Sequence, residues 1–254
     1  MKLKREQLLY AFDEANIPAY QCTHCLTGVL KLEGSLDSHE TYASKRDQDY
    51  GYDPDLVVLT FGCKLKCSSC SDFVFVSGSG GVEVEHETDD DGQWVSHWAP
   101  YYNPKFFYPP LALVVCPDKT PYLVQEKTRA ASALFFAQPD SCCNNIRAAA
   151  EEILTDLKVD LKTPAGGFVK FSDRINKLPT EREGVKALFD ALRWLGNHGS
   201  HPGSGLKMSD ALDAFDIMSL LLEELYSDTR LKAQELARRI NVAKGPVGKH
   251  GPYR

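Results

Sequence analysis

Arg193, Asn197, His198 and His201 lie close together in the string Leu192-Arg193-Trp194-Leu195-Gly196-Asn197-His198-Gly199-Ser200-His201-Pro202. A cation, an amide and imidazoles so placed suit chemistry on a phosphodiester. Imidazole moves protons near neutral pH. Guanidinium offsets the extra negative charge of a five-coordinate phosphorus. RNA brings its own nucleophile, the 2′-hydroxyl, so no metal is required. At helical spacing Arg193, Asn197 and His201 share a face while His198 points elsewhere. Pro202 disfavours helix at His201. The competing use is structural, since Asn and His at a helix end cap backbone carbonyls and an Arg beside them pairs with a carboxylate.

The second set of reactive side chains is the cysteines. Cys22-x-x-Cys25 and Cys67-x-x-Cys70 are two pairs with 41 residues between them. Each pair can place two thiolates on one tetrahedral ion, and Zn²⁺ takes four. A four-thiolate site has no open position, so the expected cofactor is a structural Zn²⁺ at Cys22, Cys25, Cys67 and Cys70. Cys63 is a rival for a place in the second pair, and His24 and His39 are weaker substitutes. The simpler role for Cys63 is a small packed residue beside the site. A redox use of the pairs calls for a helix after the first Cys of a βαβ unit, and strands and turns surround these instead. Cys116, Cys142 and Cys143 read as buried small residues.

Several elements must position these groups. Residues 3–15 have the spacing of a short amphipathic helix ending before Pro18. Gly28–Gly34 and Asp55–Thr60 read as strands. Phe73–Val76 and Val82–Glu85, with a Ser/Gly turn at Ser77–Gly81, read as a β-hairpin. Gln93–Trp98 adds a strand after the acidic turn Asp89–Gly92. Tyr101–Pro110, aromatic and proline-rich without a period, is the expected connector. Helical spacing then marks Val124–Phe136, Ile146–Leu157 (capped by Asp140-Ser141), Phe168–Leu178 and Val185–Leu195. A capping box at Thr180 and Glu183 precedes the last of these. Leu212–Leu225, capped by Ser209, and a basic helix over 229–242 follow. The expected fold is α+β: a small zinc-bound β module at 1–100, an all-α helical domain at 101–228, and a basic helix and tail at 229–254.

Composition narrows the function classes. No run of apolar residues is long enough to span a membrane, and Met1–Gln7 is charged and lacks the apolar core of a secretion signal, so a cytoplasmic protein is expected. Eight cysteines in that compartment point to metal rather than disulfides. The net charge of −6 is uneven. From Arg230 to Arg254 seven Lys or Arg face one acid, a balance of +6, which leaves −12 on the rest. Such a basic segment suits a phosphate backbone or an acidic neighbour. A DNA-binding zinc protein is the weaker expectation, because the cysteine module is basic only at Lys64 and Lys66.

The helical half resembles the HEPN-like bacterial family of domain of unknown function 4145, over roughly residues 100–228. The resemblance rests on Tyr108-Pro109-Pro110, the run Asn145-Ile146-Arg147-Ala148-Ala149-Ala150-Glu151-Glu152-Ile153-Leu154, and Leu192-Arg193-x-x-Gly196-Asn197-x-x-x-His201-Pro202. An upstream cysteine module, here zinc-ribbon-like, is common in that family. The resemblance implies an all-α HEPN-like bundle that pairs as a homodimer and cuts RNA without metal. It also implies a setting in phage defence, restriction or toxin systems, with a defence-system partner protein. Arg193-x-x-x-x-His198 meets the family spacing with the first histidine; Arg193 with Asn197 and His201 is the other arrangement. The leading expectation is an RNA-binding, metal-independent ribonuclease with Arg193, Asn197, His198 and His201 as its catalytic set and the 230–239 helix on the RNA backbone. The alternative is a non-catalytic dimerising or regulatory module with a structural zinc site.

Overall fold

The computed structural model describes residues 5–47, 51, 53–88, 92–200 and 205–247. Among them the chain is α+β, an antiparallel sheet followed by helices. The strands are β1 (Leu30–Leu32), β2 (Asp37–Glu40), β3 (Leu59–Cys67), β4 (Phe73–Thr88) and β5 (Trp94–Tyr108), with a short helix α1 (Tyr42–Asp47) between β2 and β3. β1 and β2 lie end to end along one edge of β3, on Leu65–Cys67 and Leu59–Gly62 respectively. β4 takes the other edge of β3, and β5 pairs with β4. Strict alternation fixes which way β3 faces: Leu59, Phe61, Cys63, Leu65 and Cys67 are buried, and the residues between them are not.

Several expectations about elements are corrected. Of the strand expected at Asp55–Thr60, Asp55 and Leu56 belong to a 3-10 turn and β3 starts at Leu59, and the helix expected after a Ser209 cap starts at Met208. The stretch at 3–15 is a 3-10 turn at Arg5–Leu8 followed by extended chain in which Phe12 bridges to Tyr102. Leu8 and Phe12 are buried as their spacing suggested, Phe12 against Phe61 and Tyr102 of the sheet. Ser77–Gly81 is no turn, because β4 runs straight through it with an irregularity at Ser77/Gly78. The glycines let β5 come close: a Cβ on Gly78 would overlap the Asn103 carbonyl, and one on Gly80 that of Tyr101. Tyr101–Tyr108 is not a connector but the second half of β5, its aromatic and proline residues spread over both faces. No capping box forms at Thr180, where a 3-10 turn leads into the next helix without a side-chain cap.

The helices are α2 (Tyr122–Leu134), α3 (Pro139–Asp156), α4 (Phe171–Asn176), α5 (Glu183–His198), α6 (Met208–Tyr226) and α7 (Thr229–Ala243). The predicted apolar stripes are the buried faces: Ile146, Ala149, Ala150, Ile153 and Leu154 on α3, and Leu212, Phe215, Met218 and Leu222 on α6. α3 starts at Pro139, one residue ahead of the Asp140-Ser141 cap expected, with proline at the first helical position where its missing N–H is harmless. Sheet and helices share a continuous core. Aromatic contacts run from Tyr20 to Phe107 (5.0 Å), Phe107 to Phe136 (4.8 Å), Phe136 to Phe135 (4.7 Å) and Phe135 to Phe215 (6.1 Å). No helix among the described residues is long and apolar enough to cross a membrane.

Candidate metal centre

The sheet brings the two cysteine pairs together. Cys67 ends β3, so Cys67–Asp72 is the turn into β4, closed by Ser71 N–H donating to Cys67 O and Cys67 N–H to Asp72 O. Cys22–Gly28 is the matching turn before β1, closed by Leu26 N–H on Cys22 O and Cys22 N–H on Gly28 O. Because Leu30 pairs with Cys67, both turns sit at one end of the sheet. Each pair is followed by a residue in the left-handed region, Leu26 (φ 57°) and Ser71 (φ 63°), which lets the chain curl tightly around a sulfur pair. Ser68 crosses between the turns, its N–H donating to Val29 O and its hydroxyl accepting from Val29 N–H.

All four sulfurs lie within 4.8 Å of one another, and the Cys22–Cys70 and Cys25–Cys67 separations are both 3.7 Å. Metal–sulfur bonds of about 2.3 Å in a tetrahedron put sulfurs about 3.8 Å apart, so the donor set and spacing fit one ion. The surroundings favour the thiolate at Cys25 and Cys67, whereas burial pushes the Cys22 thiol up and, against the Asp72 N–H, desolvation with the neighbouring sulfurs pushes that of Cys70 up to about 12. Cys25 accepts from the Thr27 hydroxyl and Gly28 N–H, both at 3.4 Å, and these donors, the hydroxyl foremost, pull its pKa down to about 5. Cys67 accepts from Cys70 and Ser69 N–H groups, which likewise lower its pKa. Gly28 is required by space, since a Cβ there would overlap the Cys67 sulfur. Four close cysteines can therefore hold a metal ion, and they are the four the spacing singled out.

The rival ligands stand elsewhere. Cys63 is buried two inward positions before Cys67, opposite Val76, where burial pushes its thiol up to about 11. His24 is exposed and 3.9 Å from Asp72, and His39 meets the Thr60 hydroxyl. Cys142 and Cys143 are buried in the first turn of α3, as expected of small packing residues, and Cys116 is partly buried.

Arg193, Asn197 and His198 occupy the last turns of α5; His201, with Pro202, lies outside the described residues. Arg193 is engaged within its own helix: its Nε donates to Asp190 at 2.9 Å and its guanidinium lies 4.1 Å from the Trp194 ring centre. His198 is exposed and Asn197 half-buried. The glycines of the string are packing residues. A Cβ on Gly196 would overlap the Arg147 side chain, and one on Gly199 the Asp140 carbonyl, so both let α5 lie close on α3. Ser200 closes the end, donating to Gly196 O at 2.9 Å.

Three features escaped the sequence reading. Thr27 and Gly28 support the sulfurs, and their only signal was their place just after Cys25. Arg174 is fully buried, its guanidinium donating to Glu151 O, the Thr155 hydroxyl and Val159 O, so it closes the C-terminal end of α3. A cavity of about 910 Å³ opens between the 111–119 segment, α6 and the start of α7, with Leu111, Val115, Phe215 and Leu220 on its walls.

No curated protein and no solved structure matches the chain. Two family descriptions do match. Residues 10–107, which hold Cys22, Cys25, Cys67 and Cys70, match the Domain of unknown function (DUF8608), and residues 129–242, which hold Arg193, Asn197, His198 and all but the last residue of α7, match the Domain of unknown function (DUF4145).

Proposed function

We propose that this chain is a non-catalytic interaction protein whose N-terminal sheet is fastened by one structural Zn²⁺. The observation that carries this reading is the closed set of four thiols at Cys22, Cys25, Cys67 and Cys70, all within 4.8 Å. Four thiolates fill a tetrahedral shell and leave no position for a substrate or an activated water. The ion supplies cross-linking of two turns that local hydrogen bonds alone hold weakly. At the other candidate centre, Arg193 is already paired with Asp190 and stacked on Trp194, and Gly196 and Gly199 serve helix packing, which agrees with a structural role for that string.

Metal analysis of protein purified without added metal tests the reading. One zinc per chain, a colourless solution and loss of the metal in Cys25→Ser and Cys67→Ser support it. Tetrahedral thiolate sites also suit iron, so stoichiometric iron with visible absorption overturns the zinc assignment.

A second reading is favoured by the exposure of His198 one turn beyond Arg193. In it the chain is a metal-independent ribonuclease in a phage-defence, restriction or toxin setting, with His198 or His201 moving protons, Arg193 released from Asp190 to meet the phosphorane and Asn197 orienting the phosphate. Labelled total and transfer RNA incubated with protein in EDTA decides between the two. Cleavage by the wild type that Arg193→Ala and one of His198→Ala or His201→Ala abolish replaces the first reading with the second; equal or absent cleavage retains the first.

A further inference from the structure

The outer face of the sheet sets exposed aromatic rings among lysines. Alternation along β3 and β4 turns Lys64, Lys66, Phe73 and Phe75 away from the core, since Cys63, Leu65, Val74 and Val76 between and beside them are buried. The register puts Phe75 between Lys64 of β3 and Tyr108 of β5, Phe73 opposite Lys66, and Phe106 opposite Ser77. Tyr108 is 76% exposed, Phe75 58% and Phe106 57%. Large rings left bare on neighbouring strands form the kind of contiguous patch that marks a binding surface.

The charge around the rings is one-sided. β1 lays Lys31 directly opposite Lys66, and Lys64 is the next outward residue of β3. Like charges facing each other across strands repel. Glu33 answers one of them, 3.0 Å from Lys66, and among the described residues no carboxylate pairs with Lys31 or Lys64. The Lys64 and Lys66 ammonium groups lie 4.7 Å and 5.6 Å from the centre of the Phe73 ring, so their stems rest on an aromatic surface. The acids of this face, Glu83 and Glu85, start farther along β4, beyond Gly81. Only Lys64 and Lys66 stand out as basic in the sequence of the cysteine module; the pairing of β1 with β3 adds Lys31, and β5 brings the rings of Phe106 and Tyr108 to them.

We propose that this face binds single-stranded nucleic acid, with bases stacked on Phe75, Phe106 and Tyr108 and phosphates beside Lys31, Lys64 and Lys66. Unpaired bases offer a flat face at every step and a charge at every phosphate, which is what rings flanked by cations can hold. Outward residues of one strand are about 6.7 Å apart, so Phe106 and Tyr108 can take successive unstacked bases. A duplex keeps its bases stacked on each other and out of reach of the rings. An acidic peptide would satisfy the lysines, but it carries no flat group repeated at the spacing of the rings. The surface is separate from α7 and from the Arg193–His198 end of α5. It names the partner of the interaction reading above and rests on that reading only in requiring binding without cleavage.

Fluorescence anisotropy of short labelled oligonucleotides with the full-length, metal-loaded protein tests this. DNA lacks the 2′-hydroxyl that metal-free cleavage uses, so binding is read on single-stranded DNA as well as RNA. Both single strands are expected to bind, and a duplex of the same sequence at least about tenfold more weakly. Phe75→Ala/Tyr108→Ala is expected to weaken single-strand binding at least about tenfold. Should that pair lose native circular dichroism, Phe106→Ala alone reads the same contact, with an expected loss of about fivefold. Lys31→Gln/Lys64→Gln is expected to reduce the slope of log affinity against log salt by about 1.4, roughly 0.7 for each lysine. A wild-type dissociation constant above about 100 μM at physiological salt, equal affinity for duplex and single strand, or natively folded ring variants with undiminished affinity overturns the proposal. So does affinity that Lys232→Gln/Arg239→Gln removes and the ring variants retain, because it moves the contact to α7. A protein that binds DNA through the rings yet cuts RNA keeps this proposal and loses the non-catalytic reading; one that neither binds nor cuts loses this proposal alone.

Discussion

The Thr27 hydroxyl and the Gly28 N–H both donate to the Cys25 sulfur at 3.4 Å, which is why that thiol ionises near pH 5 rather than in the usual thiol range. A donor that steadies a ligand thiolate also steadies the metal it holds. Thr27→Val keeps the branched shape and removes the donor, so metal affinity is expected to fall roughly tenfold, read by competition with a chromophoric chelator. Arg174 is the contrasting case, a residue whose whole function is internal. Its guanidinium ties Glu151 O and the Thr155 hydroxyl in the last turns of α3 to Val159 O in the chain beyond it. Arg174→Met fills the volume yet removes the donor from Val159 O and the Thr155 hydroxyl, and is expected to destabilise the fold by about 1–3 kcal/mol in urea unfolding. The two residues also differ in how visible they are in sequence. Cysteine pairs announce themselves because a knuckle is a local device: ligands three residues apart around a tight turn. Nothing beside Arg174 says that its acceptors are 15 and 23 residues away. His198 and Arg193 fall between these cases. Their spacing is readable, but the hydrogen bond from Arg193 to Asp190 shows that spacing fixes a shared helix end, not a shared task.

Gly196 and Gly199 act at the scale of elements, setting how close α5 can lie on α3 and α3's N-terminal turn. Adding a methyl at Gly196 drives into the Arg147 side chain, so Gly196→Ala is expected to destabilise by about 1–3 kcal/mol, whereas His198→Ala on the exposed side of the same turn leaves thermal stability unchanged. Equal tolerance of both would show that α5 can move away from α3. Cys142 and Cys143 make a second test of this packing. Burial pushes the Cys143 thiol up to about 12 and Cys142 higher still. Raised values mean that the unfolded chain loses these protons first as pH rises. Their contribution is therefore intact below about pH 8.5 and falls between there and pH 12, at about 1.4 kcal/mol per pH unit for each thiol. Alkaline unfolding of Cys142→Ala/Cys143→Ala is expected to begin at higher pH than that of the wild type, provided the two are compared as shifts from their own neutral stability. Helical stripes were legible because burial on one face imposes a 3.6-residue period. The two ends of β4 at 73–76 and 82–85 were legible, but their continuity was not, since Ser77–Gly81 has the composition of a turn. Those small residues serve instead to let the Asn103 and Tyr101 carbonyls approach, a demand set by a strand more than twenty residues ahead.

At the scale of the molecule, the question is whether the thiol-bound sheet and the helices unfold as one body. The aromatic seam says that they do. Tyr20 stands just before Cys22, Phe107 is the last residue but one of β5, and Phe135 and Phe136 follow α2, Phe135 meeting Phe215 on α6, each ring within 4.7–6.1 Å of the next. No step of that seam was visible in sequence, because Phe107 lay in a stretch whose mixed aromatics and prolines carry no period. A metal that fastens the turn beginning at Cys22 thus also fixes Tyr20, and through Phe107 it stabilises the packing of α2 and α6. Metal bound only by the folded state adds its binding free energy to folding. Removing it is therefore expected to lower the melting temperature of helix and sheet together, in one transition followed equally by far-ultraviolet circular dichroism and tyrosine fluorescence. Phe107→Ala breaks the seam at its middle. In that variant the chelated protein is expected to melt in two steps, the sheet first, with the helical signal persisting to a temperature close to that of the metal-loaded form. If wild-type helices instead hold their melting temperature when the metal is withdrawn, the seam transmits too little energy to couple the two halves, and the metal stabilises the N-terminal sheet alone.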